Sequence, residues 1–279
     1  MSGYSIDFAK TGQSDCPRCH GLGIYYEPKV EVGRYGSLKL CDCVREQCRC
    51  GGQQPFQYWD EESQRSWCPC RPARLRLIET QRHFKLADIP ERFRWKFHGD
   101  FKAQTPSGQA VPKAAELQSF ISTLRDVGGG DKGFFFFGPP GTGKTLISCI
   151  MLNELILYQG RPGRFLNLSR MYQKLRDTFS EESRNYGQSW PIFEEYCNAP
   201  FLVVDDFGVQ RGTEWEMEML YDLVDARYSA ERFTIVTTNQ DIDQVKGLSQ
   251  GRIFSRLAEM CWLVGMQGED YRQQMPNMI

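Results

Sequence analysis

Two groups of side chains in this sequence have the types and spacing to do chemistry. One is a glycine-rich loop with a lysine, and the other is a set of paired cysteines. Gly138, Pro139, Pro140, Gly141, Thr142, Gly143, Lys144 and Thr145 fit the pattern G-x-x-x-x-G-K-[ST]. In such a loop the backbone N–H groups wrap phosphate oxygens, a lysine in the place of Lys144 reaches the β and γ phosphates, and a hydroxyl in the place of Thr145 binds Mg²⁺. The expected ligand is ATP.

Some sixty residues on, Phe201-Leu202-Val203-Val204 runs into Asp205 and Asp206. An apolar strand ending in two acids supplies a Mg²⁺-water ligand, Asp205, and a base that polarises the attacking water, Asp206. Asp206-Phe207-Gly208 also spells a kinase-like triplet, but no H-R-D loop accompanies it, so it carries no meaning here. A further strand ends Thr237-Thr238-Asn239. Lying between the other two, it would bring the Asn239 amide beside the γ-phosphate as a sensor of hydrolysis.

Of eleven cysteines, eight fall between Cys16 and Cys70 as four close pairs: Cys16 with Cys19, Cys41 with Cys43, Cys48 with Cys50, and Cys68 with Cys70. No secretory leader precedes them, so metal ligation is a better reading than disulfides. Four thiolates suffice for one tetrahedral Zn²⁺, so two zinc ions are expected, the first four cysteines on one and the last four on the other. The C-x-C spacing leaves other pairings, a single zinc, or His20 as a substitute ligand open. The role is structural, because a segment this poor in apolar residues needs such staples to fold. Cys149, Cys197 and Cys261 sit in apolar or mixed segments and receive no function.

The elements that must position these residues follow from periodicity. From about residue 113, short apolar strands alternate with amphipathic helices, the pattern of a parallel sheet covered on both faces. Strands are predicted at Gly133–Phe137, Arg164–Leu168, Phe201–Asp205, Phe233–Thr237 and Cys261–Val264. Helices are predicted near 113–126, from Lys144 to about Tyr158, after a Ser169 cap to about Phe179, near Pro191–Cys197, from about Thr213 to Ser229, and around Ile253–Glu259. The polar run Ser180–Ser189 reads as a loop. The four phenylalanines 134–137 read as a central buried strand.

The chain of 279 residues has 41% hydrophobic and 25% charged residues, enough for one full core and a smaller unit. The predicted organisation is a Cys-rich zinc-binding domain over 1–72, a basic linker over 73–112, and an α/β ATPase domain over 113–279. No apolar run is long enough to cross a membrane, so a cytoplasmic protein is expected. Net charge is only −1, yet residues 65–102 hold ten Lys or Arg against four acids. Such a stretch could track phosphates or an acidic partner, or form a solvated helix face.

Taken in order, GPPGTGKT, LVVDDFG, the helix bearing Tyr221 to Tyr228, IVTTN, GRIFSRL and EDYR resemble the DnaC/DnaI type of bacterial replicative-helicase loaders and the related IstB transposition helpers, over residues 113–272. The resemblance implies an AAA+ fold with a five-stranded parallel sheet. It implies that Arg256 is an arginine finger given to a neighbouring subunit, with Arg252 one turn earlier as its helper, and that Arg272 is the sensor 2 arginine. The fifteen residues after Val264 are too few for a full helical lid, so a neighbouring subunit is expected to complete the site. Asp206 stands where many AAA+ proteins have Glu, which shortens the carboxylate by a methylene and points to slow hydrolysis. Some loaders also carry an N-terminal zinc module, although the eight-cysteine form here is larger than the four-ligand pattern.

Three functions follow as expectations. The first is a loader that assembles with ATP and single-stranded DNA into a spiral or ring, opens a replicative DNA helicase, and is released on hydrolysis. The second is an IstB-like regulator of transposition acting on duplex DNA. The third is a zinc-dependent nucleic-acid adaptor whose ATP site turns over negligibly. The zinc module favours the first.

Overall fold

The computed structural model describes residues 11–28, 36–104, 108, 110–130, 132–208, 213–247, 251–268 and 270. The chain divides into two compact units, Met1–Lys85 with Leu157–Gly160, and Leu86–Ile156 with Arg161–Ile279.

In the first unit, β1 (Ile24–Glu27) and β2 (Ser37–Leu40) pair antiparallel, with Ile24 opposite Leu40. A short helix α1 (Asp42–Arg45) follows, then a second hairpin of β3 (Gln57–Trp59) and β4 (Arg65–Trp67) and the helix α2 (Arg71–Leu86). Ile24, Leu38, Leu40, Val44, Phe56, Ala73 and Phe84 are buried. Two-stranded hairpins are marginal in water by themselves, so this thin core must be reinforced. Within the stretch 73–112, read from the sequence as a basic linker, α2 runs through Leu86, and residues from 86 onward count with the second unit. Arg82 and Lys85 of α2 are exposed, whereas Arg76 is fully buried and donates to the carbonyls of Leu157 and Tyr158.

The second unit is built in chain order from α3 (Ala114–Val127), β5 (Gly133–Phe137), α4 (Lys144–Gln159), β6 (Gly163–Asn167), α5 (Leu168–Asp177), α6 (Ser189–Asn198), β7 (Phe201–Asp205), α7 (Glu214–Ser229), β8 (Phe233–Thr238), α8 (Ile242–Lys246), α9 (Arg252–Met260) and β9 (Cys261–Gly265). The strands form one parallel sheet in the order β6-β7-β8-β5-β9. Every residue of β7 and β8 is buried, as a parallel sheet covered on both faces requires.

The run of phenylalanines in β5 shows how both faces are filled. Phe135 points into a core shared with Leu175 of α5, Ile192 of α6, Leu220 of α7 and Leu257 of α9. Phe134 and Phe136 stack 5.8 Å apart on the opposite face, where Phe120 of α3 lies 5.0 Å from Phe134. Burying each such ring contributes about 1.5–3 kcal/mol. The fold is α/β with helices on both faces, as the alternation predicts.

The buried polar side chains of this unit include one guanidinium. Arg227 of α7 is fully buried, and its guanidinium donates to the carbonyls of Tyr196, Cys197, Ala199 and Phe233 and to the Thr234 hydroxyl at 2.7–3.2 Å. Burial pulls its pKa down to about 9, so it stays charged at neutral pH. The carbonyls at the end of α6 thereby find the partner that a helix C-terminus needs.

Candidate nucleotide site and thiol clusters

The strand order brings the carboxyl ends of β6, β7, β8 and β5 side by side, the edge where ligands bind in open α/β sheets. β5 leaves the sheet at Phe137, the loop 138–143 turns, and α4 begins at Lys144, its N-terminal dipole aimed back at the loop. Gly138 and Gly141 are required by space as well as by conformation. Their φ angles are +137° and +82°, and a Cβ would lie 2.1 Å from the Met266 carbonyl and 2.0 Å from an Asp270 carboxylate oxygen. Lys144 Nζ donates to the Gly138 and Pro139 carbonyls at 2.8 and 2.6 Å, so its charge is held within the loop.

Asp205, at the end of β7, is buried, and its Oδ1 accepts from Thr145 at 2.8 Å and from Thr237 at 2.6 Å. Burial raises its pKa against the pull of the two hydroxyls, and the neighbouring Asp206 charge pushes it further up. A cation between Thr145 and Asp205 would relieve that penalty. Asp206 follows with φ +58°, a left-handed conformation that Asp and Asn tolerate better than most residues. Its Oδ2 accepts from Asn167 Nδ2 at 3.2 Å.

Lys144, Thr145, Asp205, Asp206 and Asn239 line one cleft of about 350 Å³, together with Asn167, Arg170, Thr237 and the segment Pro90, Arg92 and Phe93. β8 does lie between β7 and β5, so Asn239 follows the strand between the loop and the acids.

Asn167, Arg170 and the 90–93 segment are absent from the sequence-derived site. Asn167 ends β6 and caps α5, its Oδ1 accepting from Arg170 N at 3.2 Å, so the expected cap at Ser169 is displaced two residues toward the N-terminus. The 90–93 segment is held by two adjacent polar residues midway along α4. Asn153 Nδ2 donates to the carbonyls of Phe93 and Lys96 at 2.8 and 2.7 Å, and Glu154 Oε1 accepts from His98 N at 2.7 Å. An Asn-Glu pair inside the run Leu146 to Tyr158 was the available signal for that contact.

Arg252 and Arg256 lie on α9 and do not line this cleft. Arg256 Nε donates to Asp225 at 2.7 Å, its Nη2 donates to the Tyr221 hydroxyl at 2.9 Å, and the guanidinium lies over the Tyr221 ring at 4.9 Å. Arg252 is exposed, and its carbonyl accepts from Arg256 Nη1 at 3.3 Å. Arg272 lies outside the described residues.

In the first unit the thiols of Cys16, Cys19, Cys41 and Cys43 converge within 4.8 Å of one another, and those of Cys48, Cys50, Cys68 and Cys70 do the same. Contacts between sulfurs run from 3.3 to 3.7 Å. A tetrahedron with metal–sulfur bonds of about 2.3 Å has edges of about 3.8 Å, so the donors fit Zn²⁺ in number, type and spacing. All eight are free thiols, and His20 belongs to neither group. Backbone N–H groups of Cys19 and Arg18 bring the Cys16 thiol down to about 7, while burial raises those of Cys19, Cys41 and Cys43. Arg74 faces the second group, its Nε donating to Cys70 Sγ at 3.3 Å and its Nη2 to Cys48 Sγ at 3.8 Å.

This sheet order, with a phosphate loop, an acid pair on the adjoining strand and a polar residue between them, defines a P-loop ATP-binding protein of the AAA+ class. Residues 98–277 match the model of the IstB-like ATP binding protein family, and the chain belongs to that family. It is 30% identical over 145 residues to the replicative helicase loader DnaC of Escherichia coli strain K12, a stretch covering 51% of this chain and 57% of that one. The match to DnaC of Buchnera aphidicola subsp. Schizaphis graminum is 24% identical over 224 residues, 79% of this chain and 87% of the relative. The chain thus spans little more than half the length of its E. coli relative. Among solved structures, the DnaC helicase loader superposes with a TM-score of 0.53 at 21% identity, covering 64% of this chain and all of that one. DnaI superposes with a TM-score of 0.54 at 17% identity, covering 68% of this chain and all of that one. These two show the fold. The cysteine clusters precede the family match.

Proposed function

We propose that this protein is a cytoplasmic, ATP-dependent loader of a replicative DNA helicase, assembling on single-stranded DNA as a spiral or ring and released by hydrolysis. The observation that carries the reading is the convergence of Thr145, Asp205, Asp206 and Asn239 on one cleft, in a chain whose ATP-binding part is 30% identical to a replicative helicase loader.

In this reading the backbone of 138–143 and Lys144 bind the phosphates, and Thr145 and Asp205 hold Mg²⁺, which when bound neutralises phosphate charge. Asp206, steadied by Asn167, takes the proton of the attacking water. Asn239 contacts the γ-phosphate. Arg256 acts on the nucleotide of an adjacent subunit with Arg252 beside it, and Arg272 completes the set. The short reach of Asp206 makes hydrolysis slow, which suits a switch. The two thiol clusters hold one Zn²⁺ each and staple the module that meets the helicase.

The family match itself favours a second reading, an IstB-like regulator of transposition on duplex DNA. ATP turnover of the purified protein, measured with single-stranded DNA, duplex DNA or a replicative helicase added, separates the two. Stimulation by single strands or helicase supports the loader. Stimulation by duplex alone transfers the assignment to transposition, and no turnover under any condition leaves an ATP-gated adaptor.

A further inference from the structure

The second hairpin carries an unusual surface. Trp59 is 65% exposed and Trp67 is 56% exposed, although large aromatic side chains normally bury most of their area. Trp59 pairs with Arg65 and Gln57 with Trp67, so all four side chains stand on the same face of the two strands. The two indoles are diagonal neighbours, roughly 7 Å apart at Cβ by the geometry of antiparallel pairs. Each has a guanidinium over one ring face, Arg65 at 5.2 Å from Trp59 and Arg71 at 4.1 Å from Trp67.

Neither arginine, nor Arg49 over the Tyr58 ring on the opposite face, is ion-paired among the described residues. Their charge remains available to an anion. The acid nearest the strands, Asp60, is turned inward on Ser66 Oγ and the Gln64 and Glu62 amides. Around the indoles, Gln57, Ser63 and Gln64 are polar and the turn adds the exposed acids Glu61 and Glu62, so the rings stand apart and do not form the continuous apolar core of a protein-docking patch. Cys48 and Cys50 precede the hairpin and Cys68 and Cys70 follow it, and their thiols converge within 4.8 Å of one another.

We propose that this face of the zinc-stapled hairpin binds single-stranded DNA, its bases stacking on Trp59 and Trp67 and its phosphates meeting Arg65 and Arg71. Separate aromatic planes interleaved with guanidiniums that make no ion pair are the equipment of sequence-tolerant single-strand binding, and the acids at the hairpin turn direct the strand toward the Trp67 and Arg71 end. The site is separate from the nucleotide cleft and does not rest on the function proposed for that cleft.

The test is binding of fluorescein-labelled oligothymidylate of about 12 nucleotides, a length within single-strand site sizes, to the full-length protein by anisotropy. It is run without nucleotide and in a Lys144→Ala background, so failure of the ATPase reading leaves it intact. W59A/W67A is expected to weaken binding about tenfold or more, W59F/W67F to restore most of it, and R65Q/R71Q to weaken it likewise. Zinc content should equal that of the wild type in each, and duplex of the same length should bind more weakly than the single strand. Wild-type affinity in W59A/W67A overturns the proposal. Loss of helicase capture by that variant with oligothymidylate binding unchanged also overturns it, and gives the surface to a protein partner.

Discussion

Arg256 Nε donates to Asp225 Oδ1 across 2.7 Å, joining α9 to α7. The bond holds a guanidinium that does not line the cleft of its own chain and whose nitrogens are engaged by Asp225, Tyr221 and the Arg252 carbonyl. If Arg256 works in trans, Arg256→Ala should lower ATP turnover by about 10³-fold, and Asp225→Asn by about tenfold to a hundredfold through misplacement. Mixing Arg256→Ala with Lys144→Ala should recover activity, because each supplies what the other lacks. Turnover across mixing ratios checks this, and strictly additive residual activity would rule out a trans finger.

Asn167 has two jobs on two atoms, capping α5 through Oδ1 and donating to Asp206 through Nδ2. Asn167→Ser keeps a capping oxygen and removes the donor, whereas Asn167→Ala removes both. Thermal unfolding should show a loss of about 1 kcal/mol for Ala and only a few tenths for Ser. Turnover should fall in both variants, with ATP affinity within about twofold, since a lost hydrogen bond to a group outside the phosphate loop leaves ground-state binding untouched.

Glu154 is buried, and one of its carboxylate oxygens has no hydrogen-bond partner. Burial raises its pKa above 4.5, with the His98 amide bond opposing. The folded state therefore binds more protons than the unfolded state from about pH 4.5 upward, and the stability of the neutral form is lost as pH rises through the raised value. Glu154→Gln removes that loss. Its Tm advantage over wild type should grow as pH rises from about 4.5 through the raised value and then level off, and an advantage independent of pH would show that Glu154 is not the titrating group.

Cys43→Ser and Cys70→Ser each take one ligand from a different cluster. Metal analysis should give one zinc per chain in either variant against two in wild type. Because metal affinity is folding free energy in such modules, limited proteolysis should cut the cysteine-rich unit while ATP binding persists. A variant that retains two zinc ions would mean that the three remaining thiolates of the altered cluster suffice to hold the metal.

The sheet of the second unit was legible in the sequence because each strand is an apolar run bounded by a turn, and Phe201–Asp205 and Gly133–Phe137 match the observed strands to the residue. The helix of five residues at Ile242–Lys246 offers too few turns for a period to show, and α2 was hidden by its arginines. The thiol sets could be guessed from chain order, but their closure depends on the hairpins that fold Cys19 back on Cys43 and Cys50 on Cys70. Contacts such as Asn153 to Phe93 join residues sixty apart, with a polar pair in α4 marking one end and no pattern at the other.

Arg227 is satisfied entirely by neutral carbonyls and one hydroxyl, while Arg65 and Arg71 face water above open rings. Ionic strength separates the two kinds of arginine. Added salt screens exposed guanidiniums from phosphate and leaves a buried, dipole-bound one untouched. A wash of moderate salt should therefore strip nucleic acid from this protein while its ATP-binding unit stays folded, a practical route to clean material and a reason that affinities for DNA carry meaning only with the buffer stated.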